Sequence, residues 1–193
     1  MIDTKTKIIV AALEAFKRYS IQRTTMADIA SEAKLSRQTL YATLGSKEEV
    51  VAEVIGYASM DSLQATKTRL VECKSLSEQL DVFFEETIVI PYEYIQKNAS
   101  CIDIWGNNEI VGHRAVVEAR QAYYLFISQL LLPYTTKLGE AGQSPAEFAK
   151  FILFVCEQLK TAPNPREIFD AHLRSLKVTI MIMALGRDQY TPD

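Results

Sequence analysis

The chain is poor in the residues that staple, interrupt or reroute a backbone. Its 193 residues include three cysteines, seven glycines and six prolines. Cys73, Cys101 and Cys156 are odd in number and far apart. That excludes a disulfide framework, offers no metal-ligand spacing and leaves the three to be read as buried thiols. The two histidines, His113 and His172, have no second ligand at helical spacing and read as surface or packing residues, so no metal is expected. No apolar run approaches the roughly 18 residues that suggest a membrane-spanning helix. The opening Met1-Ile2-Asp3-Thr4-Lys5 lacks the basic-then-apolar layout of a secretion signal, so the cytoplasm is the expected compartment. Glycine-rich phosphate loops, Ser/His/Asp or Cys/His sets and paired carboxylates are also missing. The reading is therefore of a protein that is not an enzyme and needs no cofactor.

Positive charge is scarce overall, with a formal net charge of -3, but it is unevenly distributed. Residues 17–47 hold Lys17, Arg18, Arg23, Lys34, Arg37 and Lys47 against Asp28 and Glu32 alone. A partner rich in phosphate would have to be met there.

What is abundant is apolar spacing of three to four residues, with no sustained alternation, which predicts an all-α fold. A first helix is expected from about Thr4 to Tyr19, with Ile8, Ile9, Ala12, Leu13 and Phe16 on one stripe. Short helices follow. Thr25-Met26-Ala27-Asp28 is a capping box, Ser36 can cap the next helix, and Ser46-Lys47-Glu48-Glu49 is a second box opening a long fourth helix towards Cys73. Further helices are predicted at about 75–97, 99–106, 109–138, 144–161 and 165–186. Ser144-Pro145-Ala146-Glu147 and Asn164-Pro165-Arg166-Glu167 mark the last two starts. Pro91 and Pro133 should kink or break their helices. The expected division is a helix-turn-helix domain over 1–46 and a helical effector-binding and dimerisation domain over 47–193.

Residues 25–44 have the layout of a helix, a tight turn and a second helix, the unit that places a recognition helix in the major groove. Helical spacing puts Leu40, Leu44 and Ser36 on one side of the second helix and Gln38 and Ala42 opposite, with Thr39 and Tyr41 on the flanks. Glutamine can pair with adenine, Arg37 can reach a guanine edge or a phosphate, and Ala42 or the Thr39 methyl can touch a thymine methyl. Tyr41 could instead pack its ring against the first helix.

The same stretch resembles the TetR family of bacterial transcriptional regulators. The resemblance rests on Ala11-Ala12-Leu13-Glu14-Ala15-Phe16, Thr24-Thr25, Asp28-Ile29-Ala30, Ser36-Arg37-Gln38-Thr39-Leu40-Tyr41 and Ser46-Lys47-Glu48-Glu49, in that order. It covers about residues 5–55. The resemblance implies that Thr25, Tyr41 and Lys47 grip phosphates while Arg37, Gln38, Thr39 and Ala42 face the groove, with Ser36 beside them at the cap. It also implies a homodimer acting on a double-stranded operator. Two positions depart from the pattern: Lys34 stands where glycine is usual in the turn, and Leu44 where an aromatic is usual.

Past residue 50, the aromatic residues Phe83, Phe84, Tyr92, Tyr94, Trp105, Tyr123, Tyr124 and Phe126 read as core, with Tyr94, Trp105 and Tyr123 as candidates for lining an effector pocket. The last two helices are apolar nearly all round. Phe148, Phe151, Ile152, Val155, Val178, Met181, Ile182 and Leu185 are the expected dimer interface. The reading is of a repressor that binds a pseudo-palindromic operator and is released by a small molecule. The alternative is a helical ligand-binding or adaptor protein that keeps the fold without operator binding.

Overall fold

The computed structural model describes residues 3–97, 110, 113–162 and 164–187. Among them all regular structure is helical. The predicted helix at 99–106, with Trp105 and Cys101, lies outside the described residues. Two packing units emerge, one made of residues 1–61 with 97–120 and the other of residues 62–96 with 121–193. A division at residue 46 follows the motif along the chain, whereas packing carries the first unit through Asp61 and adds to it, among the described residues, 97, 110 and 113–120.

The first unit contains α1 (Thr4–Arg23), α2 (Met26–Glu32), α3 (Arg37–Thr43) and the opening of α4 (Lys47–Leu70). Ile8, Ile9, Ala12 and Phe16 of α1 meet Ile29 and Ala30 of α2, Leu40 of α3, and Val50 and Val51 of α4 in one core. Asp3 caps α1 by accepting from the Thr6 amide. The helix is interrupted at Ser20, whose φ of 68° and ψ of 158° lie in a region that side chains avoid. One irregular turn then reaches Arg23. The predicted stop at Tyr19 therefore marks the break in the helix.

Near the far end of this unit, Glu53 on α4 binds Lys5 at 2.6 Å, and His113 Nε2 stands 3.9 Å from the same carboxylate oxygen. Gly56 lies one turn further along α4. A Cβ there would meet Ala115 at 2.7 Å from its Cβ and 2.9 Å from its carbonyl oxygen, so this position has no room for a side chain.

The second unit contains α5 (Leu76–Phe84), α6 (Ile90–Lys97), most of α7 (Arg114–Leu131), α8 (Thr135–Glu140), α9 (Pro145–Thr161) and α10 (Arg166–Leu185). Phe83, Leu131, Leu138, Ile152 and Phe169 are among its fully buried side chains. Tyr92 stacks on Phe169 with ring centroids 3.8 Å apart and donates its hydroxyl to the Asn164 carbonyl at 2.7 Å.

Both proline expectations have a structural outcome. Pro91 has no amide proton for a regular helical bond, and the preceding turn, Glu85–Val89, widens into a π-helix in which the Ile90 amide reaches back five residues to Glu85. Pro133 falls in a 3₁₀ turn, Leu132–Tyr134, that separates α7 from α8.

Ser144 and Glu147 form the predicted capping box of α9. Asn164 does not cap α10. The residue flanking that helix is Pro165, with no side-chain cap. Two further expectations are corrected in detail. Glu49 reaches back to the Gly45 amide rather than to Ser46, so only half of the second box forms. Cys73 is half-exposed, while Cys156 is buried, and burial pushes its thiol up to about 12.

Gly56→Ala is expected to destabilise the chain by about 1–3 kcal/mol, because a methyl group would be forced against backbone as well as side chain. A lowered urea midpoint with an unchanged slope is the expected readout; an unchanged midpoint would mean that the contact relaxes freely.

Candidate nucleic-acid interface

Helices α2 and α3 have seven residues each, too few to persist alone in water, and are held by caps and burial. Thr25 accepts from the Asp28 amide at 3.2 Å, and the Asp28 carboxylate takes the Thr25 amide at 2.8 Å and its hydroxyl at 2.7 Å. These donors, the hydroxyl first, hold the Asp28 carboxyl below the usual range, with a smaller effect from Arg37.

Ser36 caps α3 by accepting from the Thr39 amide at 3.0 Å, and the two hydroxyls share a bond of 2.8 Å. Between the helices, the Lys34 amide donates to the Ser31 carbonyl and the Leu35 amide to that of Ala30. Lys34 is left-handed, with φ 53°, as its position in the turn requires.

Burial of Leu40 and Leu44 turns the opposite side of α3 outwards, leaving Arg37, Gln38, Tyr41 and Ala42 exposed and Thr39 half-buried. Tyr41 is 51% exposed, so its ring is not packed away against α1. Beside this face is an open recess of about 460 Å³ lined by Gln22, Thr24, Thr25, Met26, Ala27, Arg37, Tyr41 and Lys47. Thr24, buried, donates its hydroxyl to the Ser20 carbonyl at 2.7 Å and anchors the recess wall. Lys47, in the first turn of α4, donates to the Gln22 carbonyl at 3.2 Å.

The recess therefore unites four expected site residues, Thr25, Arg37, Tyr41 and Lys47, from three helices and their caps. Gln22 was not among the expected residues. It acts through a backbone carbonyl, which carries no side-chain signature in sequence.

The charge left for a ligand is selective. Arg18 is spent on Glu32 at 3.1 Å and Lys17 on Glu14 at 2.9 Å. Among the described residues, Arg37 and Lys34 form no ion pair. A recess presenting the Lys47 ammonium, the Arg37 guanidinium and the Tyr41 hydroxyl suits an anionic oxygen cluster such as a phosphate.

Elsewhere the expected residues are more scattered. Tyr94 is half-buried. Tyr123 sits edge-on to Phe83 and is hydrogen-bonded to Ser62; burial raises its hydroxyl well above the usual tyrosine range. Trp105 lies outside the described residues.

Of the expected interface residues, Phe148, Ile152 and Met181 belong to the chain's own core, because the inner stripes of α9 and α10 pack within their own unit. Val155, Val178, Ile182 and Leu185 are half-buried. Phe151 is 48% exposed, and Phe154, not among the eight, is 62% exposed. Among the described residues no group of three histidine, cysteine or carboxylate side chains could hold a metal, and no helix is long and apolar enough to cross a membrane.

A capped helix, a left-handed turn and a second short helix with a polar outer face define a helix-turn-helix unit. Residues 8–54 match the family model described as bacterial regulatory proteins, tetR family. The chain is 35% identical over 79 residues to ArpR of Pseudomonas putida, described as a probable HTH-type transcriptional regulator; the match covers 41% of this chain and 35% of that protein. The chain thus spans about a third of the length of the curated relatives it matches.

Among solved structures, the fatty acid degradation regulator FadR from Bacillus halodurans aligns with a TM-score of 0.60 at 14% identity, over 97% of both chains. A regulator of the TetR/AcrR family from Thermobifida fusca YX-ER1 aligns with a TM-score of 0.59 at 18% identity, over 91% of this chain and 97% of that one. These two likenesses show the fold: an N-terminal helix-turn-helix followed by a helical C-terminal domain. The family likeness is carried by residues 8–54, which hold the helix-turn-helix unit.

Thr25→Ala removes the cap of α2 and is expected to cost about 1 kcal/mol of stability. A carboxylate held below its unfolded value contributes stability that is present above the usual aspartate range and is lost as pH falls through the lowered folded value. The gap between the unaltered chain and Thr25→Ala in urea titrations should therefore be widest near neutral pH and narrow in acid. A gap independent of pH would remove Asp28 from the capping account.

Proposed function

We infer that the chain is a DNA-binding transcriptional regulator, a repressor that occupies a pseudo-palindromic operator as a homodimer and is released by a small-molecule effector. The observation that carries this reading is the convergence of Arg37, Tyr41 and Lys47 on one open recess beside the outward face of α3. In this reading a backbone phosphate enters the recess, held by Lys47, the Tyr41 hydroxyl and the capped start of α2 at Thr25. Gln38, Thr39 and Ala42 then meet base edges, while Arg37 serves a guanine or the phosphate. Ser36 keeps the start of α3 in place through its bonds to Thr39.

The dimer is supported by the exposure of Phe151 and Phe154 on α9, an apolar face that a second copy would cover. Two heads held at a fixed separation read two half-sites, so an effector that favours another separation releases the operator. The strength of that release is limited by the effector's differential affinity for the two states. The aromatic surroundings of Tyr123, which meets Phe83 edge-on while Phe83 in turn stacks on Phe126, favour an effector with an apolar body. Its place of action is the cytoplasm.

Selection of the purified chain on randomised duplex DNA should recover a two-fold-symmetric site. An Arg37→Ala, Gln38→Ala variant should bind it on the order of 100-fold more weakly. Phe154→Asp, at an exposed position, should leave folding intact and shift sedimentation from dimer towards monomer. Failure to enrich any sequence would overturn the operator reading, and an undisturbed dimer in Phe154→Asp would remove α9 from the interface.

A further inference from the structure

Among the described residues two non-glycine residues have positive φ, Ser20 with 68° inside α1 and Lys34 with 53° in the turn of the helix-turn-helix unit. Lys34 ends α2 with a specific pair of bonds, its own amide to Ser31 at 3.0 Å and that of Leu35 to Ala30 at 2.9 Å. That pair requires a left-handed residue between the two donors, a place where glycine escapes the steric penalty that a side chain meets.

The chain uses the same device a second time. At the end of α8 the Gly142 amide bonds Gly139 at 3.0 Å and the Gln143 amide bonds Leu138 at 2.9 Å, with Gly142 at φ 72°. Where only a turn is needed, glycine is present. Beside the recognition helix, lysine is present despite the strain.

Lys34 is exposed, and among the described residues it has no ion-pair partner. The neighbouring acid Glu32 is occupied by Arg18. Two residues later Ser36 caps α3, so this cation stands at the joint between the two helices of the reading unit.

We propose that Lys34 is an additional phosphate-contacting residue, a point charge carried on the turn itself, whose backbone strain is kept because the ammonium is needed there. The inference rests on the DNA-binding reading above and adds to it a contact that the glycine expected at this position could not make.

The test uses the full chain and its Lys34→Gly, Lys34→Asn and Lys34→Arg variants, each titrated with double-stranded DNA of random sequence at several salt concentrations and melted in parallel. Glycine and asparagine both tolerate the left-handed conformation, so these variants should melt at or above the temperature of the unaltered chain. Their slope of log affinity against log salt should fall by about one, with weaker binding at low salt. Lys34→Arg should keep the slope. A steep slope shared by the unaltered chain and Lys34→Gly would overturn the contact and leave the regulator reading standing. An unaltered chain without salt-dependent binding, at any salt, would overturn both.

Discussion

Burial of Leu40 is the constraint on which the outward face of α3 depends. A seven-residue helix has almost no stability of its own, so the orientation of α3 is set by the side chain it commits to the core formed by α1, α2 and α4. With Leu40 fully buried and Leu44 nearly so, helical geometry leaves Gln38 and Ala42 outside and brings Tyr41 to the rim of the recess. Rotation of α3 about its axis would expose leucine and withdraw the polar groups. Folding of the small unit and presentation of its outer face are therefore a single event.

Electrostatics refine that arrangement. The chain is acidic overall, yet three carboxylates around the helix-turn-helix are committed locally. Asp28 holds the start of α2, Glu32 takes Arg18 and Glu14 takes Lys17. Each such pairing is worth little to stability at an exposed surface. Its larger consequence is that, among the described residues, Arg37 and Lys34 form no ion pair, while Lys47 is steadied by the Gln22 carbonyl. Local positive potential in a negative molecule favours approach of a polyanion by this face.

Most of the reading unit was legible in the sequence because its determinants are local. The Thr25 and Ser36 caps, the break after Tyr19 and the left-handed turn all act within four residues of the groups they satisfy. The second unit was less legible because its decisive contacts join distant parts of the chain. Asn164 looked like a cap, but the helix starts beyond it and its carbonyl serves Tyr92 from 72 residues away. Periodicity identified α9 and α10 as apolar nearly all round without saying which stripe faced the chain's own core. Phe148, Ile152 and Met181 are claimed internally, while Phe154 is left outside. Pro91 announced a disturbance without specifying its form, a widened turn over Glu85–Val89.

The central claim is that the outer face of α3 and the adjoining recess are where this chain meets DNA. Its most direct test is to follow backbone amide signals of the labelled chain by NMR as duplex DNA is added. The account predicts that the largest changes fall at Thr25–Ala27, Ser36–Ala42 and Lys47, with the amides of α9 and α10 little affected. Changes centred on the second unit, with the α3 amides unmoved, would contradict it.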